Sequence, residues 1–332
     1  MDADGPLLRP LGRTGLRVTP LGLGLAAIGR PGYINLGRDA DLGQDRSVAA
    51  MRRGAHELLD AAWKAGVRYF DAARSYGRAE EFLASWITAR GIAADQLTVG
   101  SKWGYTYVGD WRVDAPVHEV KDHSLGALRR QLAESRALLG DRLRLYQVHS
   151  ATFESGVLEA TEVLAELARL RASGLTVGLT VSGPRQADVL RAALEVEVDG
   201  VPVFECVQAT WNPLDSSVGP ALREAHEAGW GVIVKEALAN GRLSPRGDPR
   251  ALTVLEPIAR RLGVAVDAVA LGAALAQPWA DVLLSGAVTR AQLRSNLAAL
   301  EVKLERSELE EVLSLAEPAE AYWAARSELR WS

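Results

Sequence analysis

VRYFDAARSYG, residues 67–77, decides the fold. Its opening four residues are too few for a helix and rich enough in branched and aromatic side chains for a buried strand. An acid, Asp71, follows at once, then a short polar loop carrying Tyr76. The same layout recurs at 97–104, LTVGSKWG, with Lys102 at the end of the run, and at 143–150, LRLYQVHS, with His149. Five further short runs lie near 21–25, 176–182, 204–209, 231–235 and 282–285, which makes eight predicted strands. They are largely apolar rather than alternating, as strands covered on both faces are.

Between the runs lie segments of helical period. Leu125, Leu128, Leu132 and Leu139 share one face, as do Leu164, Leu167 and Leu170. Helix-start signals agree: Ser124 before one segment, Ser182-Gly183-Pro184 before another, and Pro220 inside the first turn of a third. Eight strand–helix units predict an α/β chain closed as a (β/α)8 TIM barrel, with the site at the C-terminal ends of the strands. No internal repeat or low-complexity linker divides it, so one domain over 1–332 is expected.

Composition narrows the class. The chain has 332 residues, 48% of them hydrophobic, and a net charge of −4 with arginines scattered, which argues against a nucleic-acid or anionic-membrane surface. Cys206 is the only cysteine, so an internal disulfide is excluded, and its place in VPVFECVQAT reads as buried core. The N-terminal stretch has no apolar run suited to a signal peptide, and the apolar segment 264–287 is broken by Asp267, Pro278 and Asp281. A cytoplasmic protein acting on a small molecule, with no membrane and no metal, is the expectation. Oligomeric state stays open.

Three stretches fall outside the eight units. Residues 29–44 are Gly-rich and predicted to loop over a barrel end. Residues 103–120 carry Trp103, Tyr105, Tyr107 and Trp111, and Trp103, Tyr105 and Trp111 suggest an aromatic-lined cleft. The tail 318–332 carries Tyr322, Trp323 and Trp331, which could simply pack on the barrel wall.

Asp71, Tyr76, Lys102 and His149 form a complementary set of acid, phenol, amine and imidazole. Singly, each has a bland reading: a helix cap, a turn residue, a structural histidine. Together, at the ends of strands two, three and four, they converge on one mouth. Their chemistry suits proton donation to a carbonyl oxygen. A phenol titrates near 10, roughly, and needs tuning to act as an acid near neutrality. A close Lys102 ammonium is expected to lower it, with Asp71 holding that ammonium charged and His149 orienting the carbonyl.

With LGRTGLRV at 11–18 and SGAVTRAQLRSNL at 285–297, these motifs make the chain resemble the aldo-keto reductase superfamily over nearly its whole length. The resemblance implies a barrel that binds a nicotinamide cofactor without a Rossmann fold, and no GxGxxG follows the first strand. It implies that Ser182 and Gln208 bond the nicotinamide carboxamide, that Trp211 stacks on the ring, and that Gly24 lets the backbone approach. Gly286, Thr289, Gln292 and Asn296 match the phosphate-binding pattern, after the seventh and eighth strands where barrels hold phosphates. Lys235, ending the seventh strand, is grouped with the cofactor residues, the alternative being a solvated charge.

The sequence also departs from the family. Where Pro-Gly and a following cation are common, it has Ser285-Gly286 and Val288, and Leu25 stands where a hydroxyl or aromatic is common. Arg290 or Arg294 could grip a 2′-phosphate instead. NADP(H) is the first choice and NAD(H) the alternative. The implied reaction is reversible reduction of an aldehyde or ketone, a sugar-like carbonyl included, with Tyr76 donating the proton. Rival readings are a Schiff-base aldolase using Lys102, a non-catalytic nicotinamide-binding subunit like the channel-associated members, and a pure interaction module.

Overall fold

The short apolar runs pair in the order in which they occur. In the computed structural model, which describes residues 7–331, they form β1 (Leu21–Gly24), β2 (Tyr69–Asp71), β3 (Thr98–Trp103) and β4 (Leu143–Ala151), then β5 (Thr176–Val181), β6 (Cys206–Thr210), β7 (Gly231–Lys235) and β8 (Val282–Ser285). Each is parallel to the next, and β8 closes the circle on β1 through Leu283↔Leu21 and Ser285↔Leu23. The expected (β/α)8 barrel is therefore present. The first six residues of the N-terminal stretch and Ser332 of the tail lie outside the described residues.

Strand geometry decides which side chains reach the barrel interior, because successive residues point to opposite faces. On β6, Cys206 packs inward with Leu145 and Ile233, and Gln208 and Thr210 also face in. Val207, Ala209 and Trp211 face the helices and join the layer between barrel and shell. On β3, Lys102 points in while Ser101 and Trp103 point out. The bottom of the barrel is plugged by a hairpin, Arg9–Pro10 against Arg17–Val18, whose Leu11, Leu16 and Val18 meet Tyr69, Cys206 and Val282.

The shell consists of α1 (Val48–Lys64), α2 (Ala79–Arg90), α3 (Leu125–Leu139), α4 (Thr161–Ala172), α5 (Gln186–Leu194) and α6 (Gly219–Glu227). Then come α7 (Pro249–Leu262), α8 (Val266–Leu275), α9 (Arg290–Leu297) and α10 (Arg306–Leu313). Ser124 caps α3 by accepting from the Ala127 amide, and Pro220 lies in the first turn of α6. The Ser182 start signal is displaced: α5 begins at Gln186 behind Arg185, and Ser182 faces the cavity described below. An extra helix, α11 (Ala319–Ser327), docks the tail, with Asn212 Nδ2 donating to the Tyr322 hydroxyl at 2.9 Å and Trp323 Nε1 donating to Asp215 at 2.9 Å.

The loops over the C-terminal face carry structure of their own. Residues 29–44 include a helical turn, Arg38–Leu42, and residues 103–121 include a hairpin, Tyr105–Tyr107 against Glu119–Lys121. Only Tyr105 of the proposed aromatic cleft reaches the cavity. Trp103 is fully buried on the outward face of β3, and Trp111 packs on Phe82 with its Nε1 donating to the Arg46 carbonyl at 2.7 Å. Among the described residues no helix is long and apolar enough to cross a membrane, and no group of three or more His, Cys, Asp or Glu is disposed to hold a metal ion.

Candidate active site

A cavity of about 880 Å3 opens at the C-terminal mouth of the barrel. Asp71, Tyr76 and His149 line it, and Lys102 lies buried behind them. Lys102 Nζ donates to Asp71 Oδ1 in a buried ion pair and to the Ala72 carbonyl at 3.0 Å. The second carboxylate oxygen accepts from Gln208 Nε2 at 2.9 Å and from the Tyr69 hydroxyl at 3.2 Å. A buried charge survives only when it is paired and its lone pairs are satisfied, and this carboxylate meets both conditions. Gly100 makes that possible, since a Cβ there would stand 2.6 Å from the Tyr69 hydroxyl.

Tyr76 sits in the loop after β2, its ring centre 4.8 Å from Lys102 Nζ and edge-to-face with His149 at 5.5 Å. The expectation that Lys102 lowers this phenol is reversed. Burial, and then the Asp71 carboxylate, raise it well above the ordinary tyrosine range. The main physical reason is burial, which penalises the phenolate, and the Asp71 carboxylate that engages the ammonium adds its own opposition to that charge. The phenol therefore keeps its proton at neutral pH. His149 is held well below the ordinary histidine range by burial and then by Lys102, Arg30, Lys235 and His123, so its imidazole is neutral. Ser75 Oγ lies 3.4 Å from its Nδ1.

The proposed cofactor residues divide. Gly24, Ser182, Gln208, Lys235, Gly286, Thr289, Gln292 and Asn296 all line the cavity; Trp211 does not. It lies on the helix-facing side just past β6 and packs edge-to-face on Trp279 at 5.7 Å, so a ring-stacking role is corrected to core packing. Several of the eight also have duties inside the protein. Ser182 Oγ accepts from Lys235 Nζ at 3.1 Å, and Lys235 also donates to Thr210 Oγ1 at 2.6 Å. Burial lowers that ammonium to about 8, against the pull of Glu236, so Lys235 is not a solvated strand-end charge. Asn296 bridges Ser285 and Asp267, and the Thr289–Gln292 pair forms the capping box of α9.

Two substitutes for the missing cation are misplaced. Arg290 points away and pairs with Glu57 at 3.3 Å, and Arg294 is exposed; neither lines the cavity. The wall beside Val288 instead holds a carboxylate, Asp41, whose Oδ2 accepts from Gln292 Nε2 at 2.7 Å and from Arg246 at 2.6 Å. Asp41 and Arg246 escaped the sequence reading, as did Arg30, Glu236 and Arg326. Asp41 lies in a helical turn, Arg30, Glu236 and Arg246 in loops and Arg326 in the tail helix, where no strand period marks which side chains converge. Glu236 is a case in point: at φ 54° its backbone leaves strand geometry, and its carboxylate takes both arms of Arg326 at 2.5 and 2.7 Å. Burial alone would raise Glu236, but Arg326 and Lys235 hold it at about 2.

The chain is similar to known proteins in sequence and fold. The model of the aldo/keto reductase family matches residues 32–317. The pyridoxal 4-dehydrogenase of Microbacterium luteolum is 27% identical over 72% of this chain and 73% of its own length. The L-galactose dehydrogenase of Arabidopsis thaliana is 24% identical over 94% of each. An aldo-keto reductase of Bacillus halodurans, solved in its holo form, shares the fold with a TM-score of 0.70, at 22% identity over 94% of this chain and 97% of that one. With a family model spanning most of its length and an eight-stranded barrel to match, the chain belongs to the aldo/keto reductase family.

Proposed function

We propose that the chain reversibly reduces an aldehyde or ketone to an alcohol, with a reduced nicotinamide cofactor as hydride donor and Tyr76 as proton donor. The observation that carries this reading is the convergence, on one cavity, of a protonated Tyr76, a neutral His149 and the Lys102–Asp71 pair. The cavity wall fits a cofactor. A Cβ built on Gly24 would meet nothing closer than the Ser285 carbonyl at 3.6 Å, and one on Gly286 nothing closer than Asn35 at 4.0 Å. The fold itself therefore does not demand glycine at either place, and both leave room for a ligand against the backbone.

The cofactor would supply the hydride to the carbonyl carbon. Tyr76 gives its proton to the carbonyl oxygen as negative charge develops there, and the neutral His149 ring donates a hydrogen bond to the same oxygen. The Lys102 ammonium, close to the Tyr76 ring, supports the charge left on the phenol while Asp71 keeps the lysine in place. Gly24, Ser182, Gln208 and Lys235 would hold the cofactor's reactive half, and the amide end of α9 with Gly286, Thr289, Gln292 and Asn296 its phosphates. Arg30, Tyr33, Glu119 and Lys121 make the substrate end polar, which supports a hydroxyl-bearing carbonyl such as a sugar. Val288 and Asp41 beside the phosphate wall support weak discrimination, so NAD(H) is accepted alongside NADP(H).

The test is turnover. Wild type with NADPH or NADH and a nitro-substituted benzaldehyde should consume cofactor, and Tyr76→Phe should not keep pace. Cofactor bound but never oxidised would mark a non-catalytic binder. Borohydride trapping of substrate on Lys102 would mark an aldolase, which the Asp71 pairing opposes because a Schiff-base lysine must be a free amine.

A further inference from the structure

Arg30 lies in the loop after β1, almost entirely buried against the turn that carries Tyr76. The two loops interlock through their backbones: a Cβ on Gly29 would fall 2.4 Å from the Tyr76 carbonyl, and the Arg78 amide donates to the Gly29 carbonyl at 2.7 Å. Arg30 Nη1 donates to the Ser75 carbonyl at 3.1 Å and to Glu119 at 2.8 Å. The guanidinium carbon stands 5.2 Å from the Tyr76 ring centre, 5.1 Å from Tyr33 and 4.6 Å from Trp331. Its Nε is buried without a hydrogen-bond partner. A buried donor in that state is costly, and an aromatic face is the environment that tolerates it.

We propose that Arg30 is a positioning residue for proton transfer: its guanidinium, pinned against the Tyr76 ring, stabilises the negative charge that the phenol acquires as its proton leaves. The inference rests on the reading of Tyr76 as proton donor. Against a neutral phenol the guanidinium feels only the ring quadrupole, whereas against a phenolate it feels a full charge, so its attraction grows along the reaction. The charged and titratable groups around Tyr76 are Asp71, Glu119 and Glu236, which oppose the phenolate, Lys102 and Arg30, which favour it, and the neutral His149, Tyr33 and Tyr69. Lys102 is engaged by a buried carboxylate; the partner of Arg30, Glu119, is a fifth exposed and so is partly screened by solvent.

Alcohol oxidation gives the readout, because there the phenolate accepts the proton and the rate climbs with pH. Arg30→Met should move the rising limb to higher pH, each unit appearing as about a tenfold slower rate at a fixed pH on the limb. Arg30→Lys, which keeps the charge, should recover most of that shift. Glu119→Gln removes the opposing carboxylate and should move the limb the other way, and it carries the test if Arg30→Met fails to fold. Limbs that stay at the wild-type position, with or without a uniform fall in rate, would make Arg30 structural and overturn the proposal. Tyr76→Phe run in parallel separates the two failures: if it turns over at the wild-type rate, the reading of Tyr76 falls first, and Arg30 falls with it.

Discussion

The two ends of one cavity are built on different principles. At the reaction end, Asp71, Lys102 and His149 project from β2, β3 and β4, and strand geometry alone decides that they face inward. At the end proposed for the cofactor phosphates, Asp41, Arg246 and Gln292 come from a helical turn, a loop and a helix start that share no periodicity. A rigid sheet fixes the first set; side-chain bonds among surface elements fix the second. On the proposed reading, chemistry is held to a narrow geometry, while cofactor preference rests on contacts that a single substitution can redraw.

The sharpest test of that contrast lies at the reaction end. Tyr76→Phe keeps the ring and removes the proton, so reduction should fall by roughly 100-fold to 10,000-fold while cofactor affinity stays near wild type. An equal loss of binding and rate would show that the two ends are not separable. Lys102→Met should cost stability as well as activity, because it leaves the buried Asp71 carboxylate without its counter-charge; breaking a buried pair costs about 3 to 5 kcal/mol. Asp71→Asn should do less, since the amide retains shape and part of the bonding to Gln208 and Tyr69. Denaturant midpoints that match wild type in the lysine variant would break this account of the pair.

Between the two ends, Glu236 fastens the tail through Arg326. Its folded value of about 2 lies below its ordinary 4.5, so the stability it adds is complete above pH 4.5 and is lost as pH falls toward 2. The difference corresponds to about 3 kcal/mol. Melting curves of wild type and Glu236→Gln should converge at the acid end of that window; a constant gap throughout would refute the assignment. The smallest effect belongs to the phosphate end. Val288→Arg should tighten NADPH by about 10-fold to 100-fold relative to NADH, the worth of one charge-assisted contact. Asp41→Ala should act in the same direction by releasing Arg246. Unchanged ratios in both variants would move the 2′-phosphate elsewhere.

What could be read from the sequence follows the same division. All eight strands and the inward-facing Asp71, Lys102 and His149 were legible, because a short apolar run ending in a reactive residue has few alternatives. Trp211 was misread because the family resemblance alone gave it a ring-stacking role, while the strand's period of two directs it to the helices. The tuning of Tyr76 was misread because Lys102 was weighed without the burial of the phenol and without the opposing Asp71 carboxylate. Arg30, Asp41 and Glu236 left no signal, since their roles depend on loops meeting residues more than 40 positions away.

Whether this cavity performs chemistry or only holds a nucleotide is settled most directly by single turnover. Wild-type protein is titrated with NADH and with NADPH, and an excess of activated aldehyde is then added while reduced nicotinamide is followed by absorbance. The account predicts that each chain binds one cofactor of either kind and oxidises one equivalent when aldehyde arrives, with Tyr76→Phe binding alike and oxidising far more slowly. Stoichiometric binding followed by no oxidation, across aldehydes and, from the oxidised cofactor, across alcohols, would contradict it.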